Sequence, residues 1–113
     1  VNIIEALRFL LSREGWTVDT HSDGASAVEK IRNIRPNLVI LDYMLPGKNG
    51  LDILTELRED SSFLTLPILM LTARGQMRDR EQAEKAGVSR FMTKPFSNTE
   101  VITAVRDLVQ LAK

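Results

Sequence analysis

Hydrophobic positions recur along this chain with two different periods. Ile3, Ile4, Leu7, Leu10 and Leu11 follow at the three-to-four-residue spacing of an amphipathic helix, which Gly15 is placed to stop. Residues 16–21 read as a short strand carrying the β-favouring Val18 and Thr20. Ala25, Val28 and Ile31 then share one face of a second helix that Arg35, Pro36 and Asn37 end. Residues 38–41, Leu-Val-Ile-Leu, form an unbroken apolar run, the pattern of a strand buried on both faces. A loop with Pro46, Gly47 and Gly50 leads to a helix carrying Leu51, Leu54 and Leu57. A second apolar run spans residues 67–71. The helix predicted at 77–86 is mostly polar, with Met77, Ala83 and Ala86 as its few apolar anchors, and Gly87 ends it. Residues 90–93 form a short strand. Ser97 and Glu100 have the spacing of a capping box that opens a last helix with Val101, Val105, Leu108 and Ala112 on its inner face.

The resulting order, αβαβαβαβα with strands this apolar, predicts an α/β fold: a doubly wound parallel sheet covered by helices on both sides. Such folds normally begin with a strand, whereas this sequence begins within a helix.

Composition narrows the chemistry. At 113 residues one domain, 1–113, is expected, with a core large enough to need no staples. There is no cysteine, which removes disulfides, thiolate metal sites and thiol nucleophiles. Fifteen basic and fifteen acidic residues cancel, so direct nucleic-acid binding through a bulk positive field is not expected. No apolar run reaches the roughly 20 residues of a membrane span, and no signal peptide opens the sequence; a cytoplasmic protein is expected.

In open parallel sheets ligands bind at the carboxyl ends of the strands. Asp42 follows one apolar run, Thr72 the next and Lys94 the last strand. Alone, each would read as a turn former or cap. Together they converge on one sheet edge as a carboxylate, a hydroxyl and an ammonium, a set suited to an anion. A carboxylate can attack phosphorus to form an acyl phosphate, while the ammonium and hydroxyl meet the phosphoryl oxygens. Spacing alone leaves a phosphoacceptor and a static anion site both open.

Three segments then carry a resemblance. Residues 42–50, Asp-Tyr-Met-Leu-Pro-Gly-Lys-Asn-Gly, resemble the motif around the phosphorylated aspartate of response-regulator receiver domains of bacterial two-component systems. Leu71-Thr72-Ala73 resembles the family's switch hydroxyl segment, and Lys94-Pro95-Phe96 its lysine-proline signature. The resemblance implies a flavodoxin-like receiver fold with sheet order 2-1-3-4-5. It implies Asp42 as phosphoacceptor, Thr72 as the hydroxyl that turns toward the phosphoryl group and Lys94 as its counter-charge. It also implies Pro95 after a cis bond, Phe91 as the aromatic that changes rotamer, and Mg²⁺ held in part by Asp42 and the Met44 main-chain carbonyl. A sensor histidine kinase or phosphotransfer protein would be the donor. Helix four, the last strand and helix five would form the output face, which controls a partner or a C-terminal output domain outside this chain. Homodimerisation through that face is left open, because Arg90 and Ala104 depart from the charges often found there in receivers attached to winged-helix domains.

The family's first strand, which ends in an acidic pair that helps hold Mg²⁺, does not occur in this sequence. The expectation is that the natural protein has these residues. Their absence is the support for a second reading, a pseudo-receiver that binds partners without phosphorylation. A small aspartate-nucleophile phosphatase would need further carboxylates and a cap insertion, and no such insertion is visible. The expected activity is self-phosphorylation and self-dephosphorylation rather than conventional enzyme turnover. His21 reads as a solvated turn residue, and Trp16 and Met70 as core.

Overall fold

The structure is a computed structural model that describes residues 3–21, 24–42, 49–72, 77–93 and 97–111. Its elements are α1 (Ile3–Arg13), a 3₁₀ turn (Gly24–Ser26), α2 (Ala27–Ile34), β1 (Val39–Asp42), α3 (Gly50–Glu59), a second 3₁₀ turn (Ser61–Phe63), β2 (Ile68–Thr72), α4 (Met77–Ala86), β3 (Arg90–Thr93) and α5 (Asn98–Leu111). The strands form one parallel sheet in the order β1-β2-β3.

The apolar runs are apolar because the sheet is covered twice. In β2, Ile68 and Met70 belong to one core cluster and Leu69 and Leu71 to the other. The first cluster takes Val28 and Ile31 of α2, Ile53, Leu54 and Leu57 of α3, and Ala83 of α4. The second takes Leu11 of α1 and Val101, Val105 and Leu108 of α5. The crossover helices α3 and α4 thus lie on one face, and α5 lies on the other with α1.

Local signals set the helix ends. Asn49 caps α3 by accepting from the Asp52 amide at 2.8 Å. At α5 the capping box closes in both directions: Glu100 N donates to Ser97 Oγ at 3.1 Å, and Ser97 N donates to Glu100 Oε1 at 3.0 Å. Arg35 ends α2 in the left-handed region, its amide donating to the Ile31 carbonyl at 2.8 Å, and Pro36 follows. Gly87, at φ +97°, leaves α4 in a conformation an L side chain rarely adopts.

One expected element did not form. Residues 16–21 are not a strand, although exposure alternates along them, with Trp16, Val18 and Thr20 half-buried and their neighbours exposed. Trp16 and Val18 pack on the cluster shared by α1 and α5. Burial gives this segment the period of a strand, but a strand also needs a ladder partner, and none pairs with it among the described residues. A groove of about 600 Å³ is lined both by this segment and by β1.

Asp60 caps the second 3₁₀ turn, accepting from the Ser62 amide at 2.9 Å and from Arg32 Nε at 3.4 Å. That amide hydrogen bond, aided by Arg32, holds its carboxyl below the ordinary value of 3.8. A depressed folded-state pKa contributes stability that is complete above the ordinary value and is lost as pH falls through the folded one. Asp60→Asn should therefore flatten the fall in urea midpoint between neutral pH and about pH 3. An unchanged slope would contradict this role.

Candidate functional site: three strand ends on one edge

Register brings the strand ends together. Asp42, the last residue of β1, pairs with Leu71, one position before the end of β2. Thr72 at the end of β2 pairs with Thr93 at the end of β3. Neighbouring strands lie about 4.8 Å apart, so these ends occupy one edge within the span of a small anion and its ligands. Asp42 is half-buried. The chain enters Lys94 directly after Thr93, but Lys94, Pro95 and Met44 lie outside the described residues, as does the loop at 43–48. The structure thus places Asp42 and the Thr72 backbone on the same edge.

Asp42 ends β1, a four-residue strand paired with β2, whose Val39 and Leu41 are buried. Asp42 also lines the groove beside β1.

Phe91 is 8% exposed in β3 and belongs to the cluster under α3 and α4. The guanidinium carbon of Arg80 in α4 sits 5.7 Å from its ring centroid. Arg80 Nη2 also donates to the Phe91 carbonyl at 3.4 Å. In the sequence Asp79-Arg80 resembles the pair found in receivers attached to winged-helix domains and lies on a helix face read as solvated or partner-binding, but nothing there pointed to the contact of Arg80 with Phe91. Arg58 was missed. It donates to the Phe63 carbonyl at 2.6 Å and the Gly87 carbonyl at 2.9 Å, joining α3 to the turn after α4, and its partial burial lowers its pKa. His21 is exposed, its Nε2 2.7 Å from Ser26 Oγ. Met70 is fully buried. Arg90 lies 4.0 Å from Asp107 of α5 at the surface.

The sequence matches the response regulator receiver domain family over residues 1–106. The chain belongs to that family. It is 41% identical over 108 residues to the probable transcriptional regulatory protein TcrX of Mycobacterium tuberculosis, covering 96% of this chain and 45% of that protein. It is 38% identical over 107 residues to the phosphate regulon transcriptional regulatory protein PhoB of Rhizobium meliloti, covering 95% of this chain and 47% of that protein. The chain therefore spans about half the length of these relatives. Among solved structures, a response regulator from Chloroflexus aurantiacus described as putative superposes with a TM-score of 0.88 at 31% identity, covering 94% of this chain and 87% of that one. Receiver domains are phosphorylation-dependent signalling modules that work with histidine kinases. No helix among the described residues is long and apolar enough to cross a membrane.

Receivers generally bind Mg²⁺ in an acidic pocket. Among the described residues, no group of three or more His, Cys, Asp or Glu is placed to hold a metal. Asp42 is the one carboxylate among the strand-end residues Asp42, Thr72 and Thr93. A single carboxylate does not by itself make a Mg²⁺ site, which draws on further oxygen ligands.

Proposed function

We propose that this receiver takes a phosphoryl group onto Asp42 from a histidine kinase or phosphotransfer protein and relays the change through α4, β3 and α5. The observation that carries the reading is the register that sets Asp42 and Thr72 on one edge, with Lys94 next in sequence after β3. A carboxylate oxygen of Asp42 attacks phosphorus. The new P–O bond forms as the donor's P–N or P–O bond breaks, and the leaving group departs with that electron pair. Lys94 offsets charge on the phosphoryl oxygens, and the Thr72 hydroxyl donates to one of them. The chemistry is performed on the chain itself, without turnover of a separate substrate.

The output reading is supported by topology. β3 is an edge strand of the described sheet, flanked by α4 on one face and α5 on the other. Helix α4 is the loosely held part. Among its described side chains only Ala83 is buried, with Ala86 packed at the margin. Few buried contacts make an element cheap to displace. Transcriptional regulation through an output domain outside this chain is the readout we favour, since the relatives above are transcriptional regulators about twice as long.

The test is intact mass after incubation with a small acyl-phosphate donor in magnesium buffer. One phosphoryl adduct is expected, and none on Asp42→Asn. A folded protein that takes no adduct would instead support a phosphorylation-independent interaction domain. The observation favouring that second reading is the single carboxylate at the described strand ends.

A further inference from the structure

Helix α4 has little apolar surface with which to hold its place. Its ten residues include six with charged side chains, and Ala83 is the one fully buried side chain described there. An alanine offers little area to a core. Arg80 lies one turn before Ala83 and reaches Phe91 twice. Its guanidinium carbon stands 5.7 Å from the ring centroid, and its Nη2 donates to the carbonyl of the same residue at 3.4 Å. The ring contact has the distance of a cation–π interaction. The carbonyl contact falls on β3, a terminal strand of the sheet whose one ladder among the described residues is to β2. Ring and carbonyl both belong to Phe91, so a single side chain of α4 grips both the backbone and the side chain of one β3 residue.

We propose that Arg80 is a positioning residue for Phe91. Its guanidinium holds the ring in its buried orientation and ties α4 to the edge strand, so that ring and helix move together. Exposing the ring forfeits the cation–π contact, and displacing α4 carries the guanidinium off the ring. The two motions therefore share one interaction and favour a joint rearrangement of the face. The regulatory consequence rests on the phosphoacceptor reading above, whereas the positioning role does not.

The test uses the whole chain, unphosphorylated, labelled with 4-fluorophenylalanine and observed by ¹⁹F NMR. Phe91→Leu identifies the resonance among the four phenylalanines. The H₂O/D₂O isotope shift of that resonance reports ring exposure, and amide exchange at residues 77–86 reports α4. Arg80→Met keeps the aliphatic stem and removes cation and donor. It should raise the exposed-ring population, and speed α4 exchange, by roughly two- to fivefold, the size of a partly solvated cation–π contact. Arg80→Lys restores charge without the planar fork and should fall between Arg80→Met and the parent. An Arg80→Met protein whose ring exposure matches the parent's would overturn the proposal. So would faster α4 exchange with no change at the ring, because the two would then be uncoupled. The measurement is made without a phosphoryl donor, so its answer holds whether or not Asp42 is ever modified.

Discussion

Leu54→Ala is expected to cost about 3 kcal/mol of stability and to lower the melting temperature by roughly 12 °C, at about 4 °C per kcal/mol for a domain near this size. Leu54 is fully buried in α3, within the cluster that also takes Ile53, Leu57, Ile68 and Met70. The loss combines the transfer free energy of the deleted carbons with the cavity they leave, because the well-packed residues around them relax only in part. Phe9→Ala is the matched control: that ring is 67% exposed on α1 and should change stability by no more than about 0.5 kcal/mol. Urea unfolding of both variants checks the pair. Equal effects would mean that the α3 face is not the well-packed core that the burial of Leu54 implies.

The second large effect falls on the chemistry. Lys94→Met is expected to slow formation of the phosphoryl adduct by about a hundredfold, the lower end of what removal of one preorganised transition-state donor costs. The ammonium is placed by sequence directly after Thr93, at the end of the strand beside Thr72. Methionine keeps the length and apolar stem, so a slowed reaction in a protein that melts normally isolates the charge. Initial rates by intact mass, with the acyl-phosphate donor in excess, give the comparison. A rate within threefold of the parent's would remove Lys94 from the reacting centre and leave Asp42 without its proposed counter-charge.

Much of this was legible in the sequence, for identifiable reasons. Runs such as residues 38–41 announce a sheet covered on both faces because no other environment tolerates four consecutive apolar side chains in a strand. The α4 and β3 bounds matched the reading of residues 77–86 and 90–93, and the capping box at Ser97 and Glu100 closed as its spacing implies. Residues 16–21 show the limit. Exposure alternates along them as it would in a strand, but pairing depends on a neighbour that local sequence cannot supply. The contacts made by Arg80 and Arg58 were illegible for a related reason. Their roles come from partners 11 and 29 residues away, which only the fold brings near. Of the site, Asp42 and Thr72 could be placed on one edge from sequence because strand ends in a parallel sheet share an edge by construction.

The Asp42 side chain itself is expected to become the acyl phosphate. Borohydride reduction tests it most directly, because an acyl phosphate is reduced to the alcohol whereas a free carboxylate and a phosphate ester are not. Treating the protein with the phosphoryl donor, reducing it and sequencing its peptides by mass spectrometry should show homoserine in place of aspartate at position 42 and at no other acidic position. Aspartate retained at 42 with homoserine elsewhere, or a stable phosphate on a hydroxyl side chain, would contradict the account.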